Sequence, residues 1–359
     1  MTSKTVLCIG DPHIRVSNIA DVDLFLERIV ERVLATSQLD AIVVLGDTLH
    51  DHERLHTTPL NKAIEFFVTL SRYAPTWVLV GNHDMIGNQQ FLTENHWLVA
   101  IKSLAGVRVV DHVEYCPELN AILLPYVPNG RFQEALDTGN TDPRDASVIF
   151  AHQEFRGCVM GAFISDHGDE YPETSTPVVS GHIHSNQQPQ PNVYYPGSML
   201  QHAFGESTRN VVALVRVPQQ VETPDIVVDT GDTVITGVTT AAVSVQEIDL
   251  ELPRKITLYA DAEEFEAISQ KVPDDATHTR LVITGTSDEF KALRKKKVFK
   301  TLKTRGVKVV FKSRVLELAA GESHQTTDDF ISVLSGMCDG TPALQALCTE
   351  LVQETMQSM

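Results

Sequence analysis

The sequence lacks the cysteine spacing that a disulfide framework or a thiolate metal site requires. Its five cysteines are odd in number, widely scattered and form no CxxC pair: Cys8, Cys116, Cys158, Cys338 and Cys348. Isolated cysteines of this kind are typical of reduced and mostly buried thiols. The pattern argues against a disulfide-stabilised secreted protein and against a cysteine zinc site.

Long apolar runs are missing as well. No stretch approaches the ~20 residues that a membrane-spanning helix needs. The N-terminus, Met1-Thr2-Ser3-Lys4, runs directly into a predicted strand and leaves no room for a secretory signal. With 359 residues, 42% hydrophobic and 21% charged, the composition is typical of a globular protein of two or three domains. We therefore expect an intracellular, soluble protein with no membrane partner, either cytoplasmic or associated with the nucleoid or nucleus.

Lysine and arginine are scarce outside one short region. The net charge is -18, yet residues 280–314 contain 12 Lys and Arg against only Asp288 and Glu289. An acidic chain ordinarily argues against a nucleic-acid partner, whereas a local basic face can bind phosphates. The basic region is therefore a separate electrostatic feature of an otherwise acidic protein.

Strand patterns alternate with helical patterns in the first part of the chain. Apolar stripes at helical spacing cover Asp21–Ala35, Leu60–Tyr73 and Phe91–Leu104, and short β-type runs separate them. This alternation predicts a layered α/β domain over residues 1–217.

The remainder of the chain divides by composition. Residues 218–250 predict an irregular or short-stranded connection, and residues 251–315 a small α+β domain that contains the basic region. Residues 316–359 predict a helical segment of two short amphipathic helices, 327–337 and 342–356.

Five predicted strands end in polar motifs. In chain order these motifs are Asp11-Pro12-His13, Gly46-Asp47-Thr48-Leu49-His50, Gly81-Asn82-His83-Asp84, His152-Gln153 and Gly181-His182-Ile183-His184. Strand ends are where open α/β sheets place their chemistry. Carboxylates, a carboxamide and imidazoles without thiolates are the ligands of a pair of divalent cations.

Each motif alone has a plain structural explanation. A lone DxH such as Asp11-Pro12-His13 occurs by chance in many loops, and only the five motifs together make that explanation weak. Asp47, at the end of a central strand, is our candidate bridge. Two ions ~3.5 to 4 Å apart activate a water and clamp the oxygens of a displacement at phosphorus.

The order DxH, GDxxH, GNHD, HQ, GHxH resembles the calcineurin-like metallophosphoesterases. Within these, residues 4–217 resemble the SbcD-type nuclease subunit of the double-strand-break repair complex and its archaeal, eukaryotic and phage relatives. The points of resemblance are Gly46–His50, Ala151–Gln153, Tyr195–Ser198 and Phe204–Glu206. This resemblance implies an α/β/β/α metallophosphoesterase domain, a small α+β capping domain and a C-terminal helical segment.

The resemblance also implies a role for each motif residue. One metal would be held by Asp11, His13, Asp47 and His184, and the other by Asp47, Asn82, His152 and His182. His83 would contact the scissile phosphate and help protonate the leaving oxygen, Asp84 would orient the His83 ring, and His50 would be a second substrate-side histidine. The implied cofactors are two divalent ions, Mn²⁺ first, with Mg²⁺, Fe²⁺ or Zn²⁺ as alternatives.

Two further segments carry predictions about partners. A dense basic run is either a solvated helix face or, as we expect, a DNA contact: Lys291, Arg294, Lys295, Lys296, Lys297, Lys300 and Lys303. The terminal helices either pack on the body or, as the resemblance implies, dock onto the coiled coil of an SbcC-like ATPase. The apolar docking residues would be Phe330, Ile331, Leu334, Leu344, Leu347 and Leu351.

The predicted function is a two-metal DNA nuclease, exonuclease or endonuclease, in DNA-end processing, recombination and repair. The resemblance implies a homodimer, formed through the Leu60–Tyr73 and Phe91–Leu104 regions, within a heterotetramer with the ATPase. One alternative is a phosphoesterase of the same fold acting on a cyclic nucleotide or phosphoprotein. Another is a binding module that uses its metals only structurally.

The remaining histidines and both tryptophans are assigned no function. Solvated loop positions are expected for His52, His56, His96, His112, His167, His202, His278 and His324. Trp77 and Trp97 are expected to pack in the core rather than to stack on bases.

Overall fold

The computed structural model describes residues 3–52, 54–206, 209–219, 226–229, 242–273 and 276–314. In chain order the strands are β1 (Ser3–Ile9), β2 (Ala41–Val44), β3 (Thr76–Leu79), β4 (Val107–Val110), β5 (Glu114–Cys116), β6 (Ala121–Leu124), β7 (Val148–His152), β8 (Val159–Met160), β9 (Phe163–Ile164), β10 (Val178–Gly181), β11 (Gln187–Gln190), β12 (Val193–Tyr195), β13 (Val211–Pro218), β14 (Ile226–Asp229), β15 (Val243–Asp249), β16 (Ile256–Asp261), β17 (Thr279–Gly285) and β18 (Lys308–Ser313). The α-helices are α1 (Ile19–Ile29), α2 (Thr57–Ser71), α3 (Phe132–Leu136), α4 (Phe265–Ser269), α5 (Ser287–Lys295) and α6 (Lys297–Thr304).

Two large sheets form the centre of the fold. The seven-stranded sheet has the order β14-β15-β13-β1-β2-β3-β4, and the six-stranded sheet has the order β11-β12-β10-β7-β6-β5. Strands β1 to β4 are parallel, as are β6, β7, β10 and β12. The carboxyl ends of parallel neighbours meet at one edge of each sheet, so the loops that follow these strands lie close together.

Alternating side chains build the layers. In β1, Val6 and Cys8 join the core between the two sheets, whereas Leu7 and Ile9 join the core beneath the helices. Because successive strand residues point to opposite faces, one strand can serve both cores. Helices α1 and α2 cover the outer face of the first sheet, and α3 covers that of the second. The α/β/β/α layering and the α/β fold class predicted from the sequence are confirmed.

The described chain separates into two compact units. Of the described residues, the first unit contains those up to 258 with 272–273, 276–281 and 302–308, and the second contains 259–271, 282–301 and 309–314. Strands β16, β17 and β18 form a three-stranded sheet. Helix α5 begins at a capping box in which the Glu289 N–H donates to Thr286 Oγ1 and the Thr286 N–H donates to Glu289 Oε2. The predicted domain boundaries remain predictions.

One local assignment from the sequence needs correction. Phe91–Leu104 is not a long helix, since only Trp97–Ile101 forms a 3₁₀ turn. Tertiary hydrogen bonds override the helical pattern there: the Trp97 N–H donates to the carbonyl of Asp84, and Met85 bridges to His96. Within 218–250, predicted as an irregular or short-stranded connection, β14 and β15 are strands of the seven-stranded sheet, and β15 pairs along nearly its whole length with β13.

Some predicted features lie outside the described residues. These are the two C-terminal helices and the docking residues Phe330, Ile331, Leu334, Leu344, Leu347 and Leu351. Among the helices of the described ranges, none combines the length and apolar character needed to cross a membrane. Cys8, Cys116 and Cys158 are buried free thiols, as expected.

Candidate metal centre

The seven predicted ligands converge at the carboxyl ends of strands from both sheets. They are Asp11 and His13 after β1, Asp47 after β2, Asn82 after β3, His152 at the end of β7, and His182 and His184 after β10. Two trios have their ligand atoms within 4.8 Å of one another, namely Asp11, His13 and His184, and Asp47, His152 and His182. All seven except His182 and His184 are buried.

Asp47 belongs to the second trio and also faces the first. Its Oδ2 is 3.4 Å from His13 Nε2, and its Oδ1 is 3.4 Å from His152 Nε2. One carboxylate therefore presents a different oxygen to each trio. This is the arrangement expected of a group that bridges two cations.

The first trio contains an unsatisfied acceptor. His13 Nε2 and His184 Nε2 are 3.0 Å apart. Asp11 Oδ1 accepts a hydrogen bond from the His182 N–H at 2.8 Å, whereas buried Asp11 Oδ2 has no partner. A buried carboxylate oxygen without a donor is costly, and a cation would satisfy it. The donor set therefore fits a divalent ion.

The second trio is completed by an amide. Asn82 Oδ1 is 3.1 Å from His152 Nε2 and 2.9 Å from His182 Nδ1. His152 Nδ1 donates to the carbonyl of Leu45 at 2.5 Å, which leaves Nε2 to face Asn82 and Asp47. A ring held through its outer nitrogen in this way is the usual state of a metal-binding histidine.

The ligand loops are backbone-strained. Asp11, His13, Asp47 and His182 have φ values of 42°, 41°, 51° and 81°. Non-glycine residues rarely adopt this left-handed region, and each instance costs ~1–3 kcal/mol. The first two loops brace each other, since the His13 N–H donates to the carbonyl of Asp47 at 2.9 Å. Such strain is typical of functional sites.

The charges at the centre are mutually dependent. Burial alone would lower the pKa of His152, but Asp47 and then Asp11 raise it to about 9. Burial, followed by the charge of His152, lowers the pKa of His182 to about 3. Without cations, the proton on His152 thus balances Asp47. A bound cation would take over this role and release the proton.

His83 is placed beside the first trio. Its backbone N–H donates to Asp47 Oδ1 at 2.8 Å, and its ring centroid is 4.7 Å from that of His13. Its Nδ1 lies 2.7 Å from the carbonyl oxygen of His50, so Nδ1 carries the proton of the neutral ring and Nε2 is left for another partner. The His50 ring lies 5.5 Å from the His83 ring in a stacked arrangement.

The role predicted for Asp84 is wrong. The carboxylate does not orient the His83 ring, which the carbonyl of His50 holds instead. Asp84 accepts hydrogen bonds from the N–H groups of Thr48 and Gly81 and from Trp97 Nε1, at 3.1, 3.0 and 2.8 Å. It therefore ties the loops after β2 and β3 together. Burial, and then the charge of Asp47, raises the pKa of Asp84 to about 7.

Three residues at the centre were missed or misassigned by sequence reasoning. His202, expected in solvent, is buried, and its Nε2 lies 2.9 Å from the carbonyl of Asp11. His52 also contacts the site, with its ring 4.3 Å from that of His83. Glu206 Oε1 is 3.3 Å from His184 Nδ1. Only Glu206 lay in a motif that could have signalled its role, Phe204-Gly205-Glu206.

The predicted DNA-binding residues lie on α5 and α6 and between them. All seven are exposed: Lys291, Arg294, Lys295, Lys296, Lys297, Lys300 and Lys303. Lys291 pairs with Asp288 at 2.9 Å and Lys296 with Glu266 at 2.7 Å. Lys295, Lys297 and Lys303 form no ion pair with the described residues. Their DNA contacts remain predictions.

Comparison with known proteins agrees with this geometry. The profile of the calcineurin-like phosphoesterases matches residues 4–186, which include all seven predicted ligands. The chain is 38% identical over 358 residues to "Putative phosphoesterase 078R" of Invertebrate iridescent virus 3, covering 98% of this chain and 97% of that protein. It is 40% identical over 303 residues to "Putative phosphoesterase 244L" of Invertebrate iridescent virus 6, covering 83% of this chain and all of that protein. The chain therefore belongs to the calcineurin-like phosphoesterase family.

Proposed function

We propose that this phosphoesterase is a two-metal phosphodiesterase whose substrate is DNA, a nuclease of the SbcD type. The observation that carries the proposal is the position of Asp47. Its two oxygens lie 3.4 Å from ring nitrogens of His13 and His152, which belong to separate ligand groups. A shared carboxylate between two such groups suits hydrolysis at phosphorus.

Each ion has a full set of candidate ligands. Asp11, His13, Asp47 and His184 would hold one, and Asp47, Asn82, His152 and His182 the other. When bound, such ions activate water and stabilise the attacking and leaving oxygens. Nitrogen and oxygen donors suit Mn²⁺, Mg²⁺, Fe²⁺ and Zn²⁺, of which we propose Mn²⁺.

His83 is proposed to protonate the leaving oxygen. The Nδ1–H donates to the carbonyl of His50 and fixes the ring, so a second proton taken up at Nε2 makes the cationic ring that can donate to the substrate. As the P–O bond breaks, that proton passes to the ribose oxygen. His50, stacked beside it, is proposed as a second substrate-side histidine.

DNA is proposed as the substrate because of the local charge. The exposed basic side chains of α5 and α6 suit a phosphate backbone, whereas the rest of the chain is acidic. The resemblance further supports a homodimer that works with an SbcC-like ATPase through Phe330, Ile331, Leu334, Leu344, Leu347 and Leu351. These partners are proposals that rest on the resemblance.

The test is digestion of end-labelled linear DNA by the purified chain with Mn²⁺ or with EDTA. His83→Ala is assayed beside the wild type, and bis(p-nitrophenyl) phosphate serves as a small phosphodiester. Cleavage of DNA that needs Mn²⁺ and is lost in the variant supports the proposal. Turnover of the small ester without any cleavage of DNA, even after addition of the ATPase partner, would point instead to a different phosphoester substrate.

A further inference from the structure

Arg15 is a half-buried cation with no carboxylate partner. It follows His13 by two residues, and among the described residues no acidic side chain forms an ion pair with it. In the same chain Arg32 and Arg108 each pair with a glutamate, at 2.7 and 2.9 Å. Partial burial of a charge without a counterion is unfavourable, and this chain has 47 acidic residues that could have supplied one. The unpaired state therefore points to an anion that comes from outside.

The guanidinium lies on the side of the site that His50 and His83 occupy. Arg15 Nη1 is 3.5 Å from His50 Nε2, and Nη2 donates to the carbonyl of His202 at 2.8 Å. The Nε–H is buried and has no acceptor. One Nη2 N–H is therefore used by the carbonyl of His202, and the other Nη N–H groups, of which the contact to His50 Nε2 is long, are left to contact a ligand.

The backbone of Arg15 is held firmly against the ligand loop. The Arg15 N–H donates to Asn18 Oδ1 at 2.8 Å, and Asn18 Nδ2 donates to the carbonyl of His13 at 3.0 Å. The Ile14 N–H donates to the carbonyl of Thr48 at 2.8 Å. A substrate-binding side chain needs this kind of support, because small displacements weaken a directional contact.

We infer that Arg15 binds a non-bridging oxygen of the substrate phosphodiester beside His50 and His83. The inference rests on the proposed function for the nature of the substrate. A planar guanidinium can donate two parallel hydrogen bonds to a phosphate, which lysine cannot do. A purely structural role would need only the single bond to the carbonyl of His202.

The test compares Arg15→Gln and Arg15→Lys with the wild type on linear DNA and on bis(p-nitrophenyl) phosphate. Arg72→Gln is the matched control, since Arg72 is an exposed arginine at the end of α2. For Arg15→Gln we expect KM to rise roughly 10- to 100-fold with kcat little changed, as for a contact made equally in the ground and transition states. Inhibition by inorganic phosphate should weaken by a similar factor. Arg15→Lys should fall between, and Arg72→Gln should match the wild type.

Two results would overturn the inference. One is an unchanged KM and phosphate inhibition in Arg15→Gln. The other is a parallel loss of Mn²⁺ content and melting temperature in both variants, which would indicate a structural role. If Arg15→Gln does not fold, Arg15→Lys decides by the same readouts. Should the wild type cleave only the small diester, the DNA proposal fails while Arg15 is still tested on that substrate.

Discussion

Gly81→Ala should damage the metal centre although residue 81 is not a ligand. A Cβ added at this position would lie 2.2 Å from Asp47 Oδ1 and 2.3 Å from the backbone nitrogen of Asp47. Asp47 Oδ1 must then move by about 0.8 Å to lie even 3.0 Å from the added Cβ. The same oxygen accepts the His83 N–H at 2.8 Å and faces His152, so neither interaction can survive such a shift unchanged.

The expected loss of stability and of activity in Gly81→Ala can be estimated from the packing and from the position of Asp47. Overpacking a tight site of this kind costs ~1–3 kcal/mol of unfolding free energy. A displacement of ~1 Å in a reacting group can cost ~10²-fold in rate. We therefore expect Gly81→Ala to lower kcat/KM on bis(p-nitrophenyl) phosphate by about two orders of magnitude and to weaken Mn²⁺ binding in titration calorimetry.

Gly87→Ala is the matched control. It lies six residues further along the same loop, and the nearest atom to its added Cβ is Gln90 Nε2 at 3.6 Å, which is an ordinary contact. This variant should keep the activity, metal affinity and melting temperature of the wild type. If Gly81→Ala behaves like Gly87→Ala, the close approach of Gly81 to Asp47 does not hold the centre together, and the reasoning is refuted.

Three other changes have defined outcomes. Glu206→Gln should reduce Mn²⁺ affinity by ~10- to 100-fold, because the carboxylate that holds His184 Nδ1 is removed; an unchanged calorimetric Kd would contradict this. Burial would raise the pKa of Asp111, but hydrogen bonds from Lys102, His112 and His96 lower it to about 2. The stability that the Asp111 charge contributes is therefore present above pH ~4 and disappears as the pH falls towards 2. Asp111→Asn should thus lower the unfolding free energy at pH 7 by ~1–3 kcal/mol, and denaturant titrations should show that this free energy depends less on pH in the acid range. An unchanged pH dependence below pH ~4 would show that the Asp111 charge does not stabilise the fold. Replacing the exposed Lys297 and Lys303 by glutamine should weaken DNA binding. The slope of log K for DNA against log salt concentration should fall by ~0.9 for each DNA phosphate that is no longer neutralised. An unchanged slope in fluorescence anisotropy would rule out that these lysines bind DNA.

The layered α/β fold and the convergence of the motif residues could be predicted from the sequence alone. Apolar strands that end in Asp11, Asp47 or Asn82 could only be parallel neighbours if helices crossed between them, and parallel neighbours bring their carboxyl ends together. Those relations depend on periodicity and chain order, which are local properties. For the same reason α1 and α2 lie close to their predicted positions.

The individual contacts between these residues are seen only in the folded protein. Asp84 accepts hydrogen bonds from the N–H groups of Thr48 and Gly81, whereas the carbonyl of His50 holds the His83 ring. His202 becomes buried against Asp11, although 191 positions separate them in the chain. Arg15 is left without an ion pair to any acidic side chain of the described residues. Interactions of this kind depend on long-range packing, which periodicity and motif spacing do not encode.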